Sequence, residues 1–174
     1  MVDCELGRLD DARAAFDVLA ADGFSALPRD IEWLFCMSVL SEVAALLGDR
    51  EQARTLHTLL APHRHLNAVA AGEIALGSVA RYLGILASAT SRWDAAEKDF
   101  GDALAMNRRM GARPWVAHTQ EDYARMLLAR GETGDAEKAE QLLHDAIATY
   151  RELRMTAGLE RARSLAPVGK ASRR

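Results

Sequence analysis

The chain has 174 residues, a mass of 19.0 kDa, 49% hydrophobic and 27% charged residues, and a formal charge of −3. At roughly 150 residues per domain this is one globular domain, large enough to bury about 70% of its unfolded surface. Its slight acidity excludes a basic nucleic-acid binder, and no apolar run approaches the roughly 18 residues of a membrane span. Two cysteines, Cys4 and Cys36, are too few for a disulfide framework and indicate a reducing, cytoplasmic setting.

In chain order, Gly7-Arg8-Leu9-Asp10-Asp11-Ala12 reads as a turn opening into a helix that carries Phe16 and Leu19. A longer connection at 21–29 leads to an apolar helix containing Cys36, which ends at Gly48-Asp49-Arg50. Residues 79–87 place Val79, Leu83 and Leu86 on one helical face, and Thr90-Ser91-Arg92 ends that helix. Gly111 to Pro114 is a second longer connection, with Pro114 suited to the first turn of the helix through Arg130. Gly131-Glu132-Thr133-Gly134-Asp135 then separates it from the next one. No window alternates apolar and polar residues well enough for a strand, so the fold is expected to be all-α.

Four turn-plus-helix segments align on Ala12, Ala53, Ala96 and Ala139, which lie 41, 43 and 43 residues apart. Four residues after each alanine comes a larger side chain: Phe16, His57, Phe100 and Leu143. Leu40, Leu83 and Tyr123 each precede a turn by eight residues. A small residue early in a second helix lets two antiparallel helices approach, and the large one a turn later fills the gap beside it. A single hairpin cannot bury its apolar face, so such units stack into a solenoid.

Leu83-Gly84 and Trp93-Asp94-Ala95-Ala96 resemble the tetratricopeptide-repeat pattern. The 41–43-residue period departs from that family's usual 34 residues and implies longer helices. The run from Gly111 through His118 and Tyr123 to Gly131 resembles the helical region downstream of the ATPase module in large bacterial signalling proteins, LuxR-type regulators and cyclase-linked ATPases. That resemblance implies a regulatory or sensory domain, not an enzyme. The expected organisation is a solenoid over 1–165, with its first repeat incomplete and the chain a piece of a larger protein, followed by a disordered basic tail over 166–174. No helix-turn-helix DNA reader follows, which favours a cyclase-linked or plain ATPase parent.

Catalytic and metal motifs fail on inspection. His63 and His65 would point about 200° apart on a helix, and no nucleophile accompanies the i, i+4 pair His118 and Asp122. Gly169-Lys170 lacks the earlier glycine and the following Ser or Thr of a phosphate loop, since Ser164 and Ala171 stand there. Trp33, Trp93 and Trp115 read as packing anchors at helix starts. No cofactor and no metal are expected.

The first helix of each hairpin should line a concave groove for a protein or peptide partner. By helical phase its lining comprises Phe35, Ser38 and Glu42, then Arg81, Ile85 and Ser88, then His118, Glu121 and Arg125. Arg81, Arg125 and His118 are suited to a carboxylate or phosphate; the favoured alternative is that Glu42 and Glu121 neutralise the arginines. A competing role is purely structural, a self-associating solenoid using an uncovered face of the first helix with Leu9, Phe16 and Leu19.

Overall fold

The structure, a computed structural model, describes residues 9–72 and 74–166. Cys4, the Gly7-Arg8 turn and the tail residues 167–174 lie outside the described residues. The chain is mostly helical, with eight α-helices among the described residues. They are α1 (Leu9–Ala20), α2 (Trp33–Leu46), α3 (Arg50–Leu60), α4 (Val79–Ala89), α5 (Trp93–Arg109), α6 (Arg113–Arg130), α7 (Asp135–Glu152) and α8 (Thr156–Leu165). Two short strands, β1 (Asn67–Ala70) and β2 (Ile74–Ser78), pair antiparallel between α3 and α4. Contacts group the chain into two compact units, residues 1–103 and 104–174.

In the first unit α2 packs on α3, on β1 and on α4. Their apolar faces enclose a core of Phe16, Trp33, Met37, Leu40, Leu56, Leu60, Tyr82, Leu83 and Leu86. The four repeat-aligned alanines are all buried, Ala12, Ala53 and Ala96 in this unit and Ala139 in the second. Phe100 reaches the backbone of α4 at Gly84, where an added Cβ would stand 2.8 Å from the ring. Phe16 is buried against Phe24, with ring centroids 5.8 Å apart. It therefore belongs to the core, while Leu9, Val18 and Leu19 are the exposed apolar residues of α1.

The turns repeat in backbone detail. At the end of α2, Asp49 N–H donates to Ala44 O; at the end of α4, Arg92 N–H donates to Ala87 O, both at 2.9 Å. Each bond encloses a left-handed residue, Gly48 (φ 68°) or Ser91 (φ 59°), 43 residues apart. Asp49 then caps α3 by accepting from Gln52 N–H at 3.0 Å. Arg13 of α1 binds the same turn, donating to Asp49 at 2.7 Å and to Leu47 O at 2.8 Å.

The hairpin adds β structure where none was expected. The inward residues of β1 are the small Ala68 and Ala70, both buried, and Leu76 of β2 packs on the core, while the larger Val69 and Ile74 face solvent. With apolar residues on both faces, the polar alternation that marks a half-buried strand is missing. Register shifts between Asn67 and Val69, and Gly77 (φ 71°) sits in the facing stretch of β2, as expected of a bulge. Tyr82 O–H donates to Leu76 O at 3.0 Å, and Val79 N–H donates to Leu66 O at 3.0 Å, closing the base of the ribbon.

In the second unit α6 and α7 form an antiparallel hairpin. Arg130 pairs with Asp135 at one end of it, and Arg113 pairs with Glu152 at the other. α8 packs on α7 and also reaches α6. The six-to-one turn bond recurs here. Ala112 N–H donates to Asn107 O and Met155 N–H to Tyr150 O, both at 2.9 Å, around left-handed Gly111 (φ 67°) and Arg154 (φ 55°), again 43 residues apart. Gly158 admits the Tyr150 ring as Gly84 admits Phe100, with an added Cβ again 2.8 Å from ring carbon.

Candidate functional site

Six of the expected groove residues belong to the first unit. On α2, Phe35 and Glu42 are half-buried, whereas Ser38 is fully buried. On α4, Arg81 is only 6% exposed; its guanidinium donates to Glu42 Oε1 at 2.7 Å and lies over the Tyr82 ring. Ile85 and Ser88 are half-buried, and the Ser88 hydroxyl donates to Gly84 O one turn earlier. Arg81 is thus a nearly buried tie between α4 and α2, held by the Glu42 carboxylate, and little of it reaches solvent.

The remaining three belong to the second unit, where they meet. Glu121 is 2% exposed, and a carboxylate so deep needs donors on both oxygens. Oε1 accepts from Arg125 Nη2 at 2.9 Å and from Arg161 Nε at 3.1 Å; Oε2 accepts the Tyr150 O–H at 2.8 Å. Tyr150 has one hydroxyl proton and donates it to Glu121, so the 2.8 Å contact with His118 Nδ1 is a bond donated by the imidazole. Burial, reinforced by the Glu121 carboxylate, pushes the Tyr150 hydroxyl well above the usual phenol range. The His118 ring also lies against Trp115 and Tyr150, with centroids 5.1 and 5.3 Å away. Arg125 and Arg161 keep about half of their side chains in solvent, 49% and 48%.

Sequence reasoning missed Tyr150 and Arg161, which stand 29 and 40 residues from Glu121. It also missed a polar cluster in the first unit. Asp99 on α5, 1% exposed, accepts from Arg64 Nη2 at 2.6 Å, and His57 Nε2 lies 4.0 Å from its other oxygen. Burial raises the Asp99 carboxyl above its ordinary range, against the pull of Arg64. Burial, with Arg92 and Arg64 beside it, lowers the His57 imidazole to about 4. One signal was available: His57 occupies the repeat position filled by Phe16, Phe100 and Leu143, which marks a largely buried side chain.

Elsewhere His63 meets the Trp33 ring edge-on at 5.3 Å, and His65 is exposed in the turn that follows. Trp33 and Trp93 open their helices, and Trp115 is the third residue of α6. Cys36 is half-buried; burial, then Glu32 and Asp30, raise its thiol above the ordinary value, which disfavours the reactive thiolate. Among the described residues no group of three or more His, Cys, Asp and Glu could hold a metal ion, and no helix is long and apolar enough to cross a membrane. No protein-family model, no curated protein and no solved structure matches the chain.

Proposed function

We propose that the chain is a regulatory interaction module: a tetratricopeptide-like α-solenoid of antiparallel hairpins with a 41–43-residue period. In this reading it belongs to the helical region of a larger bacterial signalling ATPase or transcriptional regulator. A protein or peptide partner binds the faces of its first helices and favours one conformation of the parent by differential binding. The observation that carries this reading is the recurrence of one turn geometry at 43-residue spacing, at Gly48 and Ser91 and again at Gly111 and Arg154. The four buried alanines of the repeat pattern support it further. Arg125 is the exposed charged residue of the expected groove and is the position at which binding is probed.

An immunoblot of cells encoding the chain, with an antibody raised against it, tests the parentage. A band several times larger than 19.0 kDa is expected. A band at 19.0 kDa removes the linked ATPase and leaves a free-standing adaptor. The exposed Leu9, Val18 and Leu19 of α1 favour a second reading, a self-associating structural solenoid. Light scattering over a dilution series discriminates, because a monomer at every concentration excludes it.

A further inference from the structure

The two units differ in charge. Residues 1–103 carry 9 Lys and Arg against 16 Asp and Glu, whereas residues 104–174 carry 13 against 9. Part of the basic excess gathers at one end of the α6–α7 hairpin. Arg108 and Arg109 close α5, Arg113 opens α6, and Arg151 and Arg154 flank Glu152 at the end of α7; all five arginines are exposed. Glu152, ion-paired to Arg113, is the carboxylate among them. A recess of about 250 Å³ opens here, lined by Arg108, Gly111, Arg113, Val116 and Thr149.

We propose that this recess is an oxyanion-binding site that takes the phosphate or carboxylate group of a small ligand. Guanidinium groups offer paired N–H donors in the geometry that such groups accept. Arg108 and Arg113 supply them from two different elements, so the recess is framed on two sides. The Arg108 side chain makes no hydrogen bond or ion pair among the described residues, so an incoming anion displaces nothing from it. Thr149 adds a hydroxyl to the lining and Val116 an apolar wall. The volume suits a single charged group with a short carbon skeleton rather than a drug-sized molecule. Arg113 lies twelve residues from Arg125 on α6, about 18 Å along the helix, so this site is separate from the groove of the proposed function. The competing explanation is that Arg108, Arg109 and Arg151 are solvated charges complementing the carbonyl ends of α5 and α7.

The test is a titration of the full chain with inorganic phosphate, and separately with succinate, at constant ionic strength, read from the amide shifts of Gly111 and Val116. Saturable shifts are expected for at least one anion. Saturation by phosphate alone assigns a phosphate ligand, by succinate alone a carboxylate, and by both a general oxyanion site. Arg108→Gln should weaken binding at least about tenfold and Arg109→Gln less than about twofold. Glu152→Gln frees Arg113 from its competing carboxylate and should tighten binding by about two- to fivefold, a gain that misfolding cannot mimic. Linear, unsaturable shifts with both anions, equal losses in the two arginine variants, or weaker binding by Glu152→Gln would each overturn the assignment.

Discussion

Replacing Gly84 by alanine sets two effects of known sign against each other. In the interior of α4, alanine is favoured over glycine by about 1 kcal/mol through backbone entropy. The new Cβ, however, would lie 2.8 Å from Cδ1 and Cε1 of Phe100 and 3.0 Å from its Cγ, well inside ordinary contact. Phe100 is 1% exposed, so its ring must push into packed neighbours to give way. Overpacking of this kind costs about 1–3 kcal/mol, and the shortness of three simultaneous contacts places it toward the upper end. The net expectation is a loss of about 1–2 kcal/mol. Gly101, on α5 beside Phe100, is the control, because a Cβ there meets nothing within 4 Å. Gly101→Ala should therefore stabilise by about 1 kcal/mol, opposite in sign for the same chemical change. Urea unfolding followed by circular dichroism measures both. Adding Phe100→Leu to Gly84→Ala should recover at least about 1 kcal/mol relative to additivity. A Gly84→Ala protein as stable as the parent would refute the claim that helix contact at this glycine is what seats the aromatic.

Three other outcomes follow from the same geometry. Ser91→Gly should stabilise by about 0.5–1 kcal/mol in the same assay, because Ser91 holds φ 59° and gives up only an exposed 3.2 Å bond to Arg50. Tyr150→Phe keeps the ring against Gly158 but removes a donor from the buried Glu121; a loss of about 1–3 kcal/mol is expected, and one below about 0.5 would show that the arginines alone satisfy the carboxylate. His57 gives a pH dependence. Because its folded-state value is about 4, the unfolded chain takes up a proton near pH 6.5 that the folded chain refuses until about pH 4. Stability is thus undiminished above pH 6.5 and falls between 6.5 and 4, by about 2 kcal/mol once partial solvent screening is allowed for. The raised Asp99 carboxyl acts oppositely on acidification, so the difference between parent and His57→Gln isolates the histidine. A His57→Gln protein with the parent's slope across that window would remove His57 as its source.

What was legible beforehand is what local physics controls. The breaks at Gly48, Ser91, Gly111 and Gly131 follow from glycine or a short polar residue between helices, and the helix face at Val79, Leu83 and Leu86 is readable from spacing. The buried charge pairs were only half legible. Glu42 opposite Arg81 and Glu121 beside Arg125 were expected as neutralising pairs, yet the spacing gave no sign that Arg81 and Glu121 would be nearly fully buried.

The sequence by itself determined the helical character, the turn positions and the 41–43-residue rhythm of small and large residues, because each depends on neighbours within a turn or two. Tertiary structure alone decided the hairpin at 67–78, where Ala68 and Ala70 face inward with Leu76 while the larger Val69 and Ile74 face outward. It also decided which charges are buried. A carboxylate such as Glu121 can leave water only when donors from elsewhere, here Tyr150 and Arg161, arrive to meet it, and no local pattern along the chain encodes that arrival.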